Sequence, residues 1–301
     1  MSGIPVTMDA PPTPSPQSTV RSQIRSVTRL LSARFWVALG LVLAILFFAI
    51  VGPALWGKGD PRATVGALYD APSREIWLGT DNFGRDVFTQ LMHGTRSSLI
   101  IGAIAGLIAT FIGVAIGLIA GYFGGIIDEA MMGITNVVIT IPTIVVLILL
   151  SVAIGTKSIF TMAIIIGVTS WPWTARAVRA QASSVRTREH VDLARLSGAS
   201  TASLMIWEVL PYMFSYIFMA FVLQMTTGIL QEASLSMLGL GPSSAISLGI
   251  MLHWSLLWEA VRTGAWWAFI PPTVMLTLIA FSLFLLQSSL DEVFNPRLRG
   301  R

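Results

Sequence analysis

Ser97-Ser-Leu-Ile-Ile-Gly102-Ala-Ile-Ala-Gly106-Leu-Ile-Ala-Thr-Phe-Ile-Gly113-Val-Ala-Ile-Gly117-Leu-Ile-Ala-Gly121 runs from residue 97 to 121 without one charged side chain. At ~1.5 Å per residue a helix of this length exceeds the ~30 Å of bilayer hydrocarbon. Lipid offers the backbone no hydrogen-bond partner, so such a run must be a helix and not an open strand. Comparable apolar runs occupy Phe35 to about Val51, 130–154, 158–178, 209–232 and 266–289. The expectation is an all-α polytopic membrane protein with six transmembrane helices.

Composition supports this class and excludes others. Of 301 residues, 54% are hydrophobic and 11% charged, the latter under half the ~25% of an average soluble protein; mean hydropathy is +0.76. There is no cysteine, hence no disulfide framework, thiolate metal site or cysteine nucleophile. The formal charge of +4 reads as membrane topology, not as a nucleic-acid surface.

Lysine and arginine set the orientation. With a cytoplasmic N-terminus, Arg21, Arg25, Arg29, Arg34, Arg176, Arg179, Arg186, Arg188, Arg195, Arg297, Arg299 and Arg301 lie inside. Lys58, Arg62, Arg74, Arg85, Arg96, Lys157 and Arg262 lie outside. The excess places both termini in the cytoplasm. The Pro/Ser/Thr tract Ala10-Pro-Pro-Thr-Pro-Ser-Pro16 cannot bury enough apolar surface to order itself. Residues 1–33 therefore read as a largely disordered cytoplasmic tail, 34–94 as the first span and an extracytoplasmic loop, 95–289 as a membrane core, and 290–301 as a second cytoplasmic tail. The polar leader and the lack of a small-x-small site favour a retained first span over a signal peptide.

Several chemical motifs fail on inspection. Gly52-Pro-Ala-Leu-Trp-Gly57-Lys58-Gly59 lacks the Ser/Thr of a phosphate loop and follows a membrane span. Gly239-Leu-Gly241 lacks the third glycine of a dinucleotide fingerprint. His93, His190 and His253 fall in separate segments with no ligand spacing, so no metal site is expected. Gly198-Ala-Ser200 has no catalytic histidine in an adjoining span. No enzyme constellation emerges.

Gly113, Gly117 and Gly121 stand four apart, the ridge that lets a second helix approach closely in lipid. Pro142 and Pro172 interrupt the third and fourth spans, with Thr140, Thr143, Thr169 and Ser170 placed to bond the freed carbonyls; they are hinge or pathway candidates, or tolerated kinks. Glu232, near the outer end of the fifth span, must face protein or water, as a substrate contact or as a structural hydrogen-bond partner.

Between the fourth and fifth spans, Thr187 is placed to cap a helix with Glu189 in its first turn, and Gly198 to end it with a left-handed turn. Ser200 is placed to cap a second short helix holding Leu204, Met205 and Ile206 before Pro211. The result is a cytoplasmic helix-turn-helix elbow too long for a simple connector, built to dock something.

Glu189-His-Val-Asp192-Leu-Ala194-Arg-Leu-Ser-Gly198-Ala-Ser200, followed by Glu208-Val209-Leu210-Pro211, resembles the EAA loop of ATP-binding-cassette (ABC) importer permeases, with Asp192-Leu193 in place of the usual Glu-Ala. Leu78-Gly79-Thr80-Asp81-Asn-Phe-Gly84-Arg85-Asp86-Val87, Gly121-Tyr-Phe-Gly-Gly125, Glu232-Ala-Ser-Leu-Ser-Met-Leu-Gly-Leu-Gly241 and Asn295-Pro-Arg-Leu-Arg299 resemble landmarks of the second permease subunit of dipeptide/oligopeptide importers. Ser247-Leu248-Gly249 departs from the usual Ser-Trp-Gly.

The resemblance implies a type I ABC importer permease fold, with a cytoplasmic coupling helix in the loop 186–210. Glu189, Asp192, Ala194, Gly198, Ala199 and Ser200 would engage the ATPase, and Gly79, Thr80, Asp81, Gly84, Arg85 and Asp86 would form an extracytoplasmic motif. It implies a second homologous permease, two ATPase subunits that bind ATP and Mg, and an extracytoplasmic substrate-binding protein, with this chain set in lipid in a prokaryotic plasma (inner) membrane and binding no cofactor itself. Di- or oligopeptide is the implied cargo; nickel chelates or another small solute are alternatives within the family. An ion-coupled secondary transporter fits less well, lacking clear mid-span ionisable residues and inverted repeats.

Overall fold

The structure, a computed structural model, describes residues 33–56, 59–155 and 158–294. The Pro-rich tail, Arg21, Arg25, Arg29, Gly57, Lys58, Lys157, and Asn295-Pro-Arg-Leu-Arg299 with Arg301 lie outside the described residues. Helix α1 (Ala33–Ile50) leads into the short α2 (Gly52–Trp56). There follow α3 (Val87–Phe123), α4 (Gly125–Thr140), α5 (Thr143–Ile154), α6 (Ile159–Val185), α7 (Glu189–Leu196), α8 (Phe214–Leu235), α9 (Leu248–Leu257) and α10 (Trp266–Phe294). Among the described residues, extended pairing is limited to the isolated bridges Thr64–Arg85 and Thr80–Asp86.

The centre of the bundle is α3 against α6, with α8 on a further side of α3. Gly113 faces Thr174, Gly117 faces Ala175 and Val178, and Gly121 faces Arg179 and Ala182. A methyl group at Gly117 would stand 2.8 Å from Val178 Cβ and 2.9 Å from the Arg179 backbone nitrogen, so the two backbones meet where a side chain has no room. Away from this seam, Leu99 of α3 joins Val222 and Ile229 of α8, Leu248 of α9 and Ile279 of α10 in an apolar core.

Three sequence expectations change. Among the described residues, four helical stretches (Ala33–Ile50, Val87–Phe123, Thr201–Leu240 and Trp266–Leu290) are long and apolar enough to cross a membrane, and five if α4 and α5 count as one span. The expected six is not confirmed by length and apolarity, because α6, although 27 residues long, carries Thr169, Ser170, Thr174, Arg176 and Arg179 along its length. The expected span 130–154 is a helix pair bent by 82°. Ile141 before the proline is extended, with ψ 125°, as proline sterics demand. Pro172, by contrast, sits inside a continuous helix.

The proposed hydroxyl repair of the freed carbonyls also differs. Thr140 Oγ1 donates to Val137 O at 2.6 Å, and Thr169 and Ser170 donate to Ile165 and Ile166 carbonyls. These are not the carbonyls four residues before each proline. Val138 O is instead taken by the Ile141 backbone N–H at 3.3 Å.

Two further helical segments were not expected. Helix α3 begins at Val87, inside the stretch read as a polar loop, because Asp86 caps it by accepting from the Phe88 N–H at 3.0 Å. The ten-residue apolar α9 lies between the last two spans, too short to cross. Its cap is Ser247, whose Oγ accepts from the Ile250 N–H at 3.2 Å.

Candidate functional site

The elbow stands at the C-terminal end of α3. Helix α6 closes at Arg186, whose Nη1 donates to Tyr122 O at 2.7 Å. Thr187 does not cap α7: its hydroxyl donates backwards to Ser184 O at 3.1 Å. The residue preceding α7 is the extended Arg188, which makes no side-chain cap. Packing compensates, since Val191, Leu204, Val209 and Met213 are buried against Leu118, Val178, Ala182 and Val185 of α3 and α6.

Gly198 has φ +85° and ends α7 in a paired turn. Its N–H donates to Arg195 O and the Ala199 N–H to Ala194 O, each at 3.1 Å, the two bonds of a Schellman motif. A side chain at Gly198 would meet nothing within 4 Å, so glycine is required by backbone angle and not by space. Ser200 then caps the next turn, its Oγ accepting from the Ser203 N–H at 3.3 Å. The expected second short helix is only Thr201–Ser203, continuing into a π-helical stretch, Leu204–Val209.

Held from beneath, the elbow presents apolar side chains outward. Leu196 is 85% exposed and Leu193 65%, both in α7, which lies in none of the candidate spans. Asp192 and Arg195 form an exposed ion pair at 2.7 Å beside them, worth ~0–1 kcal/mol. His190 stacks on Tyr212 with ring centroids 4.1 Å apart, and its Nε2 lies 3.3 Å from Glu208 O. Glu189, Asp192, Ala194, Gly198, Ala199 and Ser200 are thus gathered in one turn-linked unit.

The Gly79–Asp86 stretch lies at the other end of α3, with Thr80, Asp81, Asn82 and Asp86 buried. Thr80 Oγ1 donates to Ala67 O at 2.7 Å and accepts from the Asp70 N–H at 2.7 Å. Asp81 accepts from the backbone N–H groups of Phe83 and Arg85 at 2.8 and 2.9 Å, and from Gln90 Nε2 at 2.8 Å. Asp86 adds Thr89 Oγ1 at 3.1 Å to its cap bond. Arg85 lies over the rings of Phe83 and Trp254, at 4.3 and 5.2 Å. Gly79 and Gly84 take positive φ in the turns between. This motif folds a loop and starts a helix.

Glu232 is fully buried. It accepts from Ser236 Oγ and Ser247 Oγ, each at 2.6 Å, and from Ser98 Oγ at 2.9 Å, joining α8 to α3 and to the start of α9. Its neighbour Gln231 instead lines a cleft of about 270 Å3 between the bent pair, α6 and α8. Pro172, Thr169, Ser170, Gln224 and Thr227 share that cleft, and Pro142 marks the break beside it.

A second hollow of about 500 Å3 is lined by Asp128, Asn136, Arg176 and Arg179. Arg179 pairs with Asp128, and Arg176 Nη2 donates to Asn136 Oδ1 at 2.6 Å, fastening α4 to α6. These pairs and the two glutamines were missed from sequence. The available signals were the three- and four-residue spacing of Gln224, Thr227 and Gln231, and the acidic pair Asp128-Glu129 in an otherwise apolar stretch. Among the described residues no group of three or more His, Asp or Glu is placed to hold a metal ion.

The model of the binding-protein-dependent transport system inner membrane component family matches residues 113–300. The chain is 34% identical over 260 residues to the dipeptide transport system permease protein DppC of Bacillus subtilis (strain 168), covering 86% of this chain and 80% of that protein. It is 33% identical over 266 residues to the oligopeptide transport system permease protein OppC of the same organism, covering 87% and 85%. Among solved structures it resembles a chain of the MetNI methionine ABC transporter in an inward facing conformation. The TM-score is 0.53 at 20% identity, over 70% of this chain and 97% of that one, a likeness of fold.

Proposed function

Because the chain belongs to the family of binding-protein-dependent transport system inner membrane components, we propose that it forms half of an ATP-driven pathway carrying di- or oligopeptides across a prokaryotic plasma membrane. The relatives named for dipeptide and oligopeptide transport support the cargo. The observation that carries the mechanism is the elbow. Its buried side, Val191 to Met213, is packed into the ends of α3 and α6, while Leu193 and Leu196 project outward.

In this reading the exposed apolar side chains of α7 enter a cleft of a separate ATPase subunit, which binds ATP and Mg. A second permease, a second ATPase and an extracytoplasmic substrate-binding protein complete the assembly, with both termini of this chain in the cytoplasm. Closure of the ATPases pushes α7, and the core joining α7 to α3 and α6 transmits the push as a tilt of rigid helices. Access to the cleft then alternates between the two sides. The chain itself supplies binding, alignment and lever.

The test is reconstitution. The chain is purified with its bound partners, placed in liposomes, and assayed for ATP hydrolysis and peptide uptake with and without the binding protein. Both activities should appear together and depend on peptide. Uphill movement of solute by the solitary chain, with no ATPase present, would overturn the reading.

A further inference from the structure

Gln224, Thr227 and Gln231 recur on α8 at intervals of three and four residues, so one face of this helix carries amide and hydroxyl groups. That face walls the cleft beside the break between α4 and α5, and no charged side chain lines it. Its internal hydrogen bonds leave a defined remainder. Gln224 Nε2 donates to Ser170 O at 2.9 Å and to Thr174 Oγ1 at 2.7 Å, so its Oε1 stays an acceptor bonded to no described residue. Gln231 Oε1 lies 3.0 Å from Ser170 Oγ, whose one proton it shares with Ile166 O at 2.7 Å, and its Nε2 is bonded to no described residue, so both N–H donors remain. Thr227 Oγ1 donates to Leu223 O at 3.0 Å and keeps acceptor capacity between them.

An acceptor and a donor seven residues apart on a helix are separated by ~10 Å along its axis. An extended peptide covers that distance with about three residues at ~3.3 Å each. Its main chain offers the complementary groups, N–H for Gln224 and C=O for Gln231, whatever its side chains are. We propose that this face of α8 holds the passing substrate by its main chain, taking short peptides in extended form and reading their amides instead of their side-chain charge. The inference rests on the peptide reading above and adds the residues and the mode of contact.

This sequence contains no cysteine, so in the assembled transporter the labelling of a single-cysteine variant can be read on this chain alone once the subunits are separated by electrophoresis. Gln231→Cys should react with a water-soluble methanethiosulfonate reagent, and trialanine added with the binding protein and ATP should slow that reaction several-fold. Leu230→Cys, which faces α9 and α10, should show no such protection. Gln231→Leu should lower trialanine uptake about tenfold, the effect of one unpaired polar contact.

If Gln231→Cys reacts no faster than Leu230→Cys, or is unprotected by trialanine, the inference fails. Full uptake by Gln231→Leu overturns it as well. In both cases the parent still transports, so the broader reading stands. A parent transporter whose hydrolysis and uptake ignore trialanine overturns the peptide reading and this inference with it.

Discussion

The guanidinium of Arg179 grips the Asp128 carboxylate from two sides, with Nε 2.9 Å from Oδ1 and Nη2 on Oδ2. With the Arg176–Asn136 hydrogen bond, this ion pair links the first half of the bent limb to α6. Apart from Thr135, the residues of α4 stand open or half-open, so few apolar contacts duplicate the link.

Breaking the pair should loosen the limb. Asp128→Asn and Arg179→Gln should each lower the thermal midpoint of the purified complex, and the double variant should fall less than the sum. A double-mutant cycle should give a coupling of about 1 kcal/mol, kept modest because the arginine side chain is 42% exposed. Additive losses would show that the pair contributes nothing.

Glu232 makes a contrasting case, since its acceptors are filled by Ser98, Ser236 and Ser247. Hydroxyl groups rotate, so they can accept from an amide as readily as they donate to a carboxylate. Glu232→Gln should therefore keep uptake near the parental rate. Glu232→Ala should destabilise the complex by about 2–4 kcal/mol through an empty buried site and stranded hydroxyls. Loss of uptake in the glutamine variant at unchanged stability would instead mark the carboxylate as a transport group.

Close approach at the α3–α6 seam predicts an asymmetry between glycines. Gly117→Ala should cost about 1–3 kcal/mol, because the added methyl meets Val178 and the Arg179 backbone. Gly133→Ala, where nothing lies within 4 Å, should be neutral or stabilise by about 0.4–1 kcal/mol. Equal thermal midpoints for the two variants would count against the seam as a site of backbone contact.

At the elbow, the positive φ of Gly198 and the open space around it separate shape from bulk. Gly198→Asn, which tolerates the left-handed region, should keep ATP hydrolysis coupled to uptake. Gly198→Val should leave assembly largely intact and uncouple the two activities, since a β-branched residue is an outlier at that angle. Equal coupling in both variants would remove the turn from the mechanism.

Some of this was legible in the chain. Ser200 could be read as a cap because a hydroxyl before a helical turn has one local use, and Gly198 as a turn because left-handed angles are local too. Thr187 misled, since the hydroxyl had a second local partner, Ser184 O, and the start of α7 is held by buried Val191 instead. Helix α9 was invisible because its ten residues are too few for a span. Its place depends on Glu232 and Ser98, which meet Ser247 and Leu248 only after folding.

By itself the sequence determined the class: uncharged runs longer than a bilayer, the four-residue glycine ridge, and the turn-forming residues of the elbow. Each of these follows from local backbone chemistry and from the absence of water in lipid. Tertiary structure alone decided which helix the ridge meets, that the third span folds back by 82° at Pro142, and that Gln231 faces the cleft while Glu232, one residue on, is sealed among serines. Adjacent helical residues point about 100° apart, so their environments are set by whichever helices arrive on each side.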